Sequence, residues 1–223
     1  MNATNDRNDT EMLSDLYRFG DFEIIPCRVQ ARIGDRVCEV GINNAPYMIS
    51  RNYGTQMCPA FKLWAAMLLK AREENLSIQP EWLFFMRFRA WLSTQPWRSA
   101  VLDNSLTTRL SYDLSEETAI LVPKTYHRTL CMLREWQIDP DSRMKAGDVP
   151  KGVTYYGRNG KYQAKIRKLG SKKQTHLGYY PTIDEAREVY DEALADNLVE
   201  IQGNVEDTNP RLAAVIEELL YVI

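Results

Sequence analysis

Polar and apolar positions change their rhythm several times along this chain, and each rhythm predicts an element. Residues 1–12 are polar throughout and predict a disordered arm. Phe22-Glu-Ile-Ile and Val37-Cys-Glu-Val-Gly are short apolar runs separated by Gly34-Asp35, a turn signal, so residues 15–57 predict strands. Asn43-Asn44-Ala45-Pro46 predicts a second turn. Cys58-Pro59 then opens a predicted helix reaching about Glu74, with Phe61, Trp64, Ala65, Leu68 and Leu69 at helical spacing. Pro80-Glu81 starts another, with Trp82, Phe85, Met86 and Leu92 on its apolar side and Pro96 just beyond its end. These aromatics read as a core.

Residues 99–122 predict loop and short strand, Thr118–Pro123 being an apolar run closed by proline, and Lys124–Trp136 predicts a helix. The polar stretch 139–151 holds two prolines and no periodicity, and is taken as a linker between domains. After it the period falls to two. Tyr162, Ala164 and Ile166 alternate with Lys161, Gln163, Lys165 and Arg167, while Val153 and Tyr155 alternate with Thr154, Tyr156 and Arg158. Thr175, Leu177 and Tyr179 alternate with Gln174, His176 and Tyr180, and Arg158-Asn-Gly and Gly170-Ser-Lys supply turns. The pattern predicts a three-stranded antiparallel meander with one apolar and one basic face.

Thr182-Ile-Asp-Glu185 is a capping box, and Ala186, Val189, Tyr190, Ala193 and Leu194 form the stripe of the helix behind it. That stripe must cover the apolar sheet face, because a bare three-stranded sheet needs a packed partner. Pro210 opens a last helix with a narrow stripe of Leu212, Val215, Ile216, Leu219 and Leu220. Docking on this chain is the favoured use of that stripe, with a homodimer contact as the alternative. The expected fold class is α+β: an N-terminal α/β region over 13–138, the linker 139–151, a small three-stranded sheet packed on one helix over 152–200, and a C-terminal helix over 208–223.

Charge sharpens this division. The net charge of −2 hides a segregation: residues 1–150 sum to −1, residues 151–180 carry eight basic groups and no acid, and residues 181–223 sum to −9. The local block, more than the whole-chain balance, decides what the chain attracts. With 44% apolar and 26% charged residues the chain is ordinary for a globular protein. The richest apolar stretches are short and broken by Lys or Arg, so no membrane span is expected, and the polar N-terminus lacks an apolar signal core, so the expected compartment is the cytoplasm. Cys27, Cys38, Cys58 and Cys131 show no Cys-x-x-Cys spacing and read as thiols. No cofactor and no metal are expected.

Gly152-Val153, Gly160-Lys161-Tyr162-x-Ala164-x-Ile166, His176-Leu-Gly-Tyr-Tyr180, Glu185-Ala186 and Tyr190 together resemble the APETALA-2/ethylene-response-factor DNA-binding domain over residues 150–198. The resemblance implies that the open sheet face lies in the major groove of double-stranded DNA. Carried over by position, that face is Thr154, Tyr156, Arg158, Lys161, Gln163, Lys165, Arg167, Lys168, Lys172, Lys173, Gln174 and His176. Arg158, Lys161, Lys165, Lys168, Lys172 and Lys173 would neutralise phosphates, and Arg167 and Gln163 would present paired donors to bases. Thr154 and Tyr156 stand where plant members use Arg, Lys165 replaces a Glu and His176 a Trp, so the plant recognition sequence does not carry over.

In phages this domain commonly follows an HNH-type homing-endonuclease region. Gly41-Ile-Asn-Asn-Ala-Pro-Tyr47, Met57-Cys-Pro-Ala-Phe61, Trp64-x-x-Met67-Leu68, Glu81-Trp82, Phe85-x-x-Phe88-x-x-Trp91, Leu102-Asp103 and Val122-Pro123 resemble phage proteins of that group. Such a nuclease needs a general-base His and a metal held by further His, Asn or Asp. Residues 1–150 hold one histidine, His127, which reads as a satisfied surface residue. Asp103, Asn104 and Asp113 lack a second histidine beside them. The expectation is a degenerate, catalytically inactive HNH-like scaffold. The function expected is a phage-type DNA-binding protein acting in the host cytoplasm. Its alternatives are an anti-defence protein, for example an anti-CRISPR, bound to a host protein complex, and an active homing endonuclease.

Overall fold

The structure is a computed structural model that describes residues 18–19, 22–23, 36–51, 56–107, 112–145, 149–169, 171 and 173–223. The polar arm at 1–12, the Gly34-Asp35 turn, Cys27, Gly170 and Lys172 lie outside the described residues. The elements are helices and small sheets, most of them antiparallel, an α+β composition.

The chain forms two compact units. The first comprises residues 1–95 with 112–118, so far as they are described. Its main elements are helices α1 (Pro59–Glu73) and α2 (Phe85–Ser93). Antiparallel pairs join Arg36–Val37 to Gly41–Ile42 and Ser50–Arg51 to Gln56–Met57, while Ser77–Ile78 pairs in parallel with Asp113–Leu114. α1 buries Phe61, Trp64, Met67 and Leu68, as its spacing predicts. These rings meet Phe85, with centroids 5.1 Å from Phe61 and 5.4 Å from Trp64. The Trp64 indole donates to the Trp82 carbonyl at 2.7 Å, satisfying a polar atom that burial would otherwise strand. The helix predicted from Pro80 is broken in two. Pro80–Leu83 is a single 3-10 turn, and Phe84 (φ −99°, ψ 120°) is extended and bridges to Ile42, so the α-helix starts only at Phe85.

The second unit comprises residues 96–111 and 119–223. It opens with strands β1 (Ala100–Asp103) and β2 (Ile120–Pro123), an antiparallel pair with Asp103 opposite Ile120. β2 runs directly into α3 (Lys124–Ile138). The meander follows as β3 (Val153–Tyr156), β4 (Lys161–Ile166) and β5 (Thr175–Tyr180), in that spatial order and antiparallel throughout. Helix α4 (Ile183–Val205) lies on it, capped by Thr182, whose hydroxyl accepts from the Glu185 backbone at 3.2 Å. Helix α5 (Pro210–Leu220) closes the unit.

One continuous core runs through this unit: Leu106, Ile120, Val122, Leu130, Leu133 and Trp136 pack with Val153, Ala164, Ile166, Ala186, Leu194, Leu198 and Ile216. The division expected at 139–151 therefore does not separate two cores. That stretch forms a 3-10 turn at Pro140–Arg143 and a strand pair, Met144–Lys145 with Val149–Pro150. Its prolines sit at a turn entry and a strand end, where the missing N–H costs nothing. Buried Arg134 of α3 ties the unit across its length, donating to the Leu106 carbonyl and to Glu218 Oε1 at 3.1 Å. Asn209 caps α5 and donates to the Leu121 carbonyl at 2.8 Å.

The stripe Leu212, Val215, Ile216 and Leu219 is buried within this chain, and Leu220 packs partly against the same core. The homodimer contact offered for it is thereby corrected, since the residues that would make it already cover α3, α4 and β2. Among the described residues no helix is long and apolar enough to cross a membrane.

Candidate nucleic-acid interface

Alternation along β3 and β4 puts Val153, Ala164 and Ile166 against α4 and leaves Thr154, Tyr156, Lys161, Gln163 and Lys165 on the other side. The cross-strand partners are Thr154 with Gln163 and Tyr156 with Lys161. On β5 the alternation slips. Ala164 pairs with Gly178 but Lys165 pairs with His176, so Leu177 is an extra residue, a β-bulge. Gly178 there has φ +150°, and a Cβ on it would sit 2.6 Å from the Tyr180 hydroxyl oxygen. That hydroxyl donates to the Leu177 carbonyl at 3.1 Å and closes the bulge from the core side.

The bulge exchanges two tyrosines. Strict alternation places Tyr180 on the open face and Tyr179 inside. Instead Tyr180 packs against the core, and Tyr179, opposite Gln163, is on the open face. Its ring lies 4.7 Å from His176 and 5.4 Å from Tyr156, making an aromatic centre on that face. The Tyr179 hydroxyl accepts from the Gln163 side-chain amide at 3.0 Å, and Gln163 is only 8% exposed. A side chain so held supports the aromatic centre from beneath, which alters the free base-reading amide expected of Gln163.

Cations surround this centre. Arg158, Lys161, Arg167, Lys168 and Lys173 are exposed and Lys165 is half-buried. Thr154, Gln174 and His176 are exposed too. Arg158 sits in the β3–β4 turn, where Asn159 Oδ1 accepts from the Lys161 backbone at 3.2 Å. Arg167 and Lys168 leave the end of β4, and Arg167 is anchored by its carbonyl, which accepts from Asn197 Nδ2 of α4 at 3.3 Å. Lys173 is in a turn closed by Ser171, whose hydroxyl donates to the Lys173 carbonyl. None of β3, β4 and β5 contains an acid. Among the described residues no ion pair engages Arg158, Lys161, Lys165, Arg167, Lys168 or Lys173, so the positive field of the face is not cancelled locally. Acids instead occupy the outer side of α4, where Asp184, Glu188, Glu192, Asp196 and Glu200 are exposed.

A second convergence lies at β1 and α3. His127, expected as a satisfied surface residue, meets Asp103 through Nε2 and Oδ2 at 2.8 Å and is 28% exposed. Cys131, one turn further along α3, brings Sγ within 3.4 Å of the same Nε2 and 4.0 Å of Oδ2. Asp103 and His127 are 24 residues apart in sequence, and only the β1–β2 pair closes that gap. The His127/Cys131 spacing of four was visible in the sequence; their third companion was not. Asn104 is buried beside Asp103, whereas Asp113 belongs to the first unit, where it accepts from the Ser115 hydroxyl at 3.0 Å.

Comparison of the chain with family models, with curated proteins and with solved structures finds no match.

Proposed function

We propose that this protein binds double-stranded DNA, laying the open face of β3–β5 in the major groove. The observation that carries this reading is the acid-free face ringed by Arg158, Lys161, Lys165, Arg167, Lys168 and Lys173, with no ion pair engaging them among the described residues. A twisted ribbon of this width fits the major groove. The cations would contact phosphates, and Arg167 retains the paired donors suited to guanine. The acidic side of α4 repels a polyanion and so restricts docking to the sheet side. The N-terminal region is read as a nuclease-like scaffold without hydrolytic activity, since residues 1–150 supply one histidine, short of the general-base His plus further His, Asn or Asp ligands such a nuclease needs.

The test is binding of the full chain to a mixed-sequence duplex over a salt series, beside Lys165→Glu/Arg167→Glu. The reading expects affinity that falls steeply with salt, with about five phosphates neutralised, and loss of binding in the double variant. Absent binding at low salt, or a flat salt response, overturns it. A second reading rests on the exposed acids of α4, which suit a basic protein partner such as a host nucleic-acid-handling complex. That reading, an anti-defence role among its forms, is favoured if the duplex fails to bind.

A further inference from the structure

Two of the three donors are set by helix periodicity. His127 and Cys131 are four apart on α3 and present Nε2 and Sγ from the same face of its first turns. The third comes from the sheet. Asp103 ends β1 opposite Ile120, whereas β2 passes through Pro123 into α3 at the other end of the pair, beside Ser99 and Ala100; α3 packs back along β1, which brings His127 and Cys131 to Asp103. Ser105 donates its hydroxyl to Asp103 Oδ1 at 2.7 Å, and the Leu106 backbone donates to the same oxygen at 3.1 Å. Both hold one carboxylate oxygen, and Oδ2 is turned toward His127 and Cys131. Asp103 is 7% exposed and His127 28%, so the cluster is roofed on the strand side and reached from solvent on the helix side.

A cysteine–histidine–aspartate relay does not describe this geometry. In a relay the nucleophile and the carboxylate bond opposite nitrogens of the imidazole. Here Asp103 and Cys131 both address Nε2. Three different donor atoms that crowd one point, each on a different chemical group, are what a cation at that point would organise. Around tetrahedral zinc, with Zn–S about 2.3 Å and Zn–N or Zn–O about 2.0–2.1 Å, neighbouring ligand atoms stand about 3.3–3.6 Å apart. The separations here are 2.8, 3.4 and 4.0 Å, scattered about that spacing.

We propose that Asp103, His127 and Cys131 bind a thiophilic divalent cation of the zinc class through Oδ2, Nε2 and Sγ, leaving a fourth position open to solvent. The thiolate separates this site from the His, Asn and Asp set that a magnesium-dependent nuclease would use, because hard cations prefer oxygen donors and sulfur selects zinc or cobalt. On binding, the Cys131 thiol releases its proton to solvent, and the proton that His127 Nε2 shares with Asp103 is exchanged through solvent for one on Nδ1, so that Nε2 presents its lone pair to the metal. Ser105 acts as a positioning residue: it holds the carboxylate in the orientation that aims Oδ2 at the metal. The metal would clasp the end of β1 to the first turns of α3. This site is independent of the sheet face, and its failure would leave the DNA reading untouched.

The experiment is titration of the full, chelator-treated chain with cobalt(II), followed in the ultraviolet and visible, then displacement by zinc(II). The expected result is a saturable one-to-one rise of a thiolate-to-cobalt charge-transfer band, with the intense visible bands of a four-coordinate ion, abolished by equimolar zinc. Cys131→Ser should lose the charge-transfer band, while Asp103→Asn and Ser105→Ala keep it but weaken binding, Ser105→Ala by about 10- to 100-fold. Thermal melts of the metal-free variants show whether each folds like the metal-free parent; Cys131→Ser keeps the shape of a half-buried side chain with only a slightly smaller atom, so its fold should persist. Magnesium should displace neither ion. The absence of a charge-transfer band at saturating cobalt overturns the proposal, as does a band that survives Cys131→Ser.

Discussion

The two faces of the β3–β5 sheet are made from alternate residues of the same three strands, yet they obey different rules. The inner face, with Val153, Ala164 and Ile166, is apolar, sealed by α4 and continuous with a core that reaches Leu219. The open face carries Lys161, Lys165 and the Tyr156–His176–Tyr179 centre, and α4 does not cover it. Because side chains on a strand point to opposite faces in turn, core packing and the proposed DNA contacts fall to neighbouring residues, with Gln163 and Tyr179 the link between the two. The difference teaches that substitutions one position apart should act on separate observables.

The strongest probe of that separation is Ile166→Ala, which opens a cavity in the inner face. It should cost about 2–5 kcal/mol in urea unfolding, with DNA affinity per folded molecule unchanged. Its neighbours give the mirror result: Lys165→Glu/Arg167→Glu should weaken duplex binding by about 2 kcal/mol or more, since one base-reading Arg alone is worth about 1–3 kcal/mol. Its unfolding midpoint should move little, surface changes costing within about 0.5 kcal/mol. If the double variant unfolds as readily as Ile166→Ala, the two faces are not independent. Tyr179→Phe probes the one link between buried and exposed on the open face, the hydrogen bond from Gln163. It should cost about 0.5–1.5 kcal/mol of stability and reduce affinity only a few-fold. The smallest effect belongs to Lys161→Ala, which should leave stability alone and flatten the slope of log affinity against log salt by about 0.9.

Much of the second unit was legible because its pattern is strict. Alternation placed Val153, Ala164 and Ile166 inward, and the Thr182 cap marked the start of α4. The pattern failed at Leu177, where a single extra residue reverses the facing of everything after it. Gly178 was the available sign, since glycine within a strand often marks a bulge. Phe84 misled for another reason: apolar spacing ran through it, but an extended backbone there is held by a bridge to Ile42, a partner far away in sequence. Prolines and polar residues at 139–151 imitated a linker, because an exposed turn on the surface of a single unit needs the same residue types as an exposed hinge between two. Asp103 was visible as a candidate, but its meeting with His127 and Cys131 was not, as no local rhythm announces which strand end will face which helix.

The core that runs unbroken from Leu106 to Leu219 decides where this chain can be cut and rejoined. A gene fusion joined in the proline-containing stretch before β3 would carry the sheet and α4 away without Leu130, Leu133 and Trp136, and the transplanted piece would arrive with a raw apolar wound along α4 and α5. A joint near Pro96 would carry nearly everything that core requires. The folding module is therefore larger than the segment that would touch DNA, and a designed fusion should respect the wider boundary.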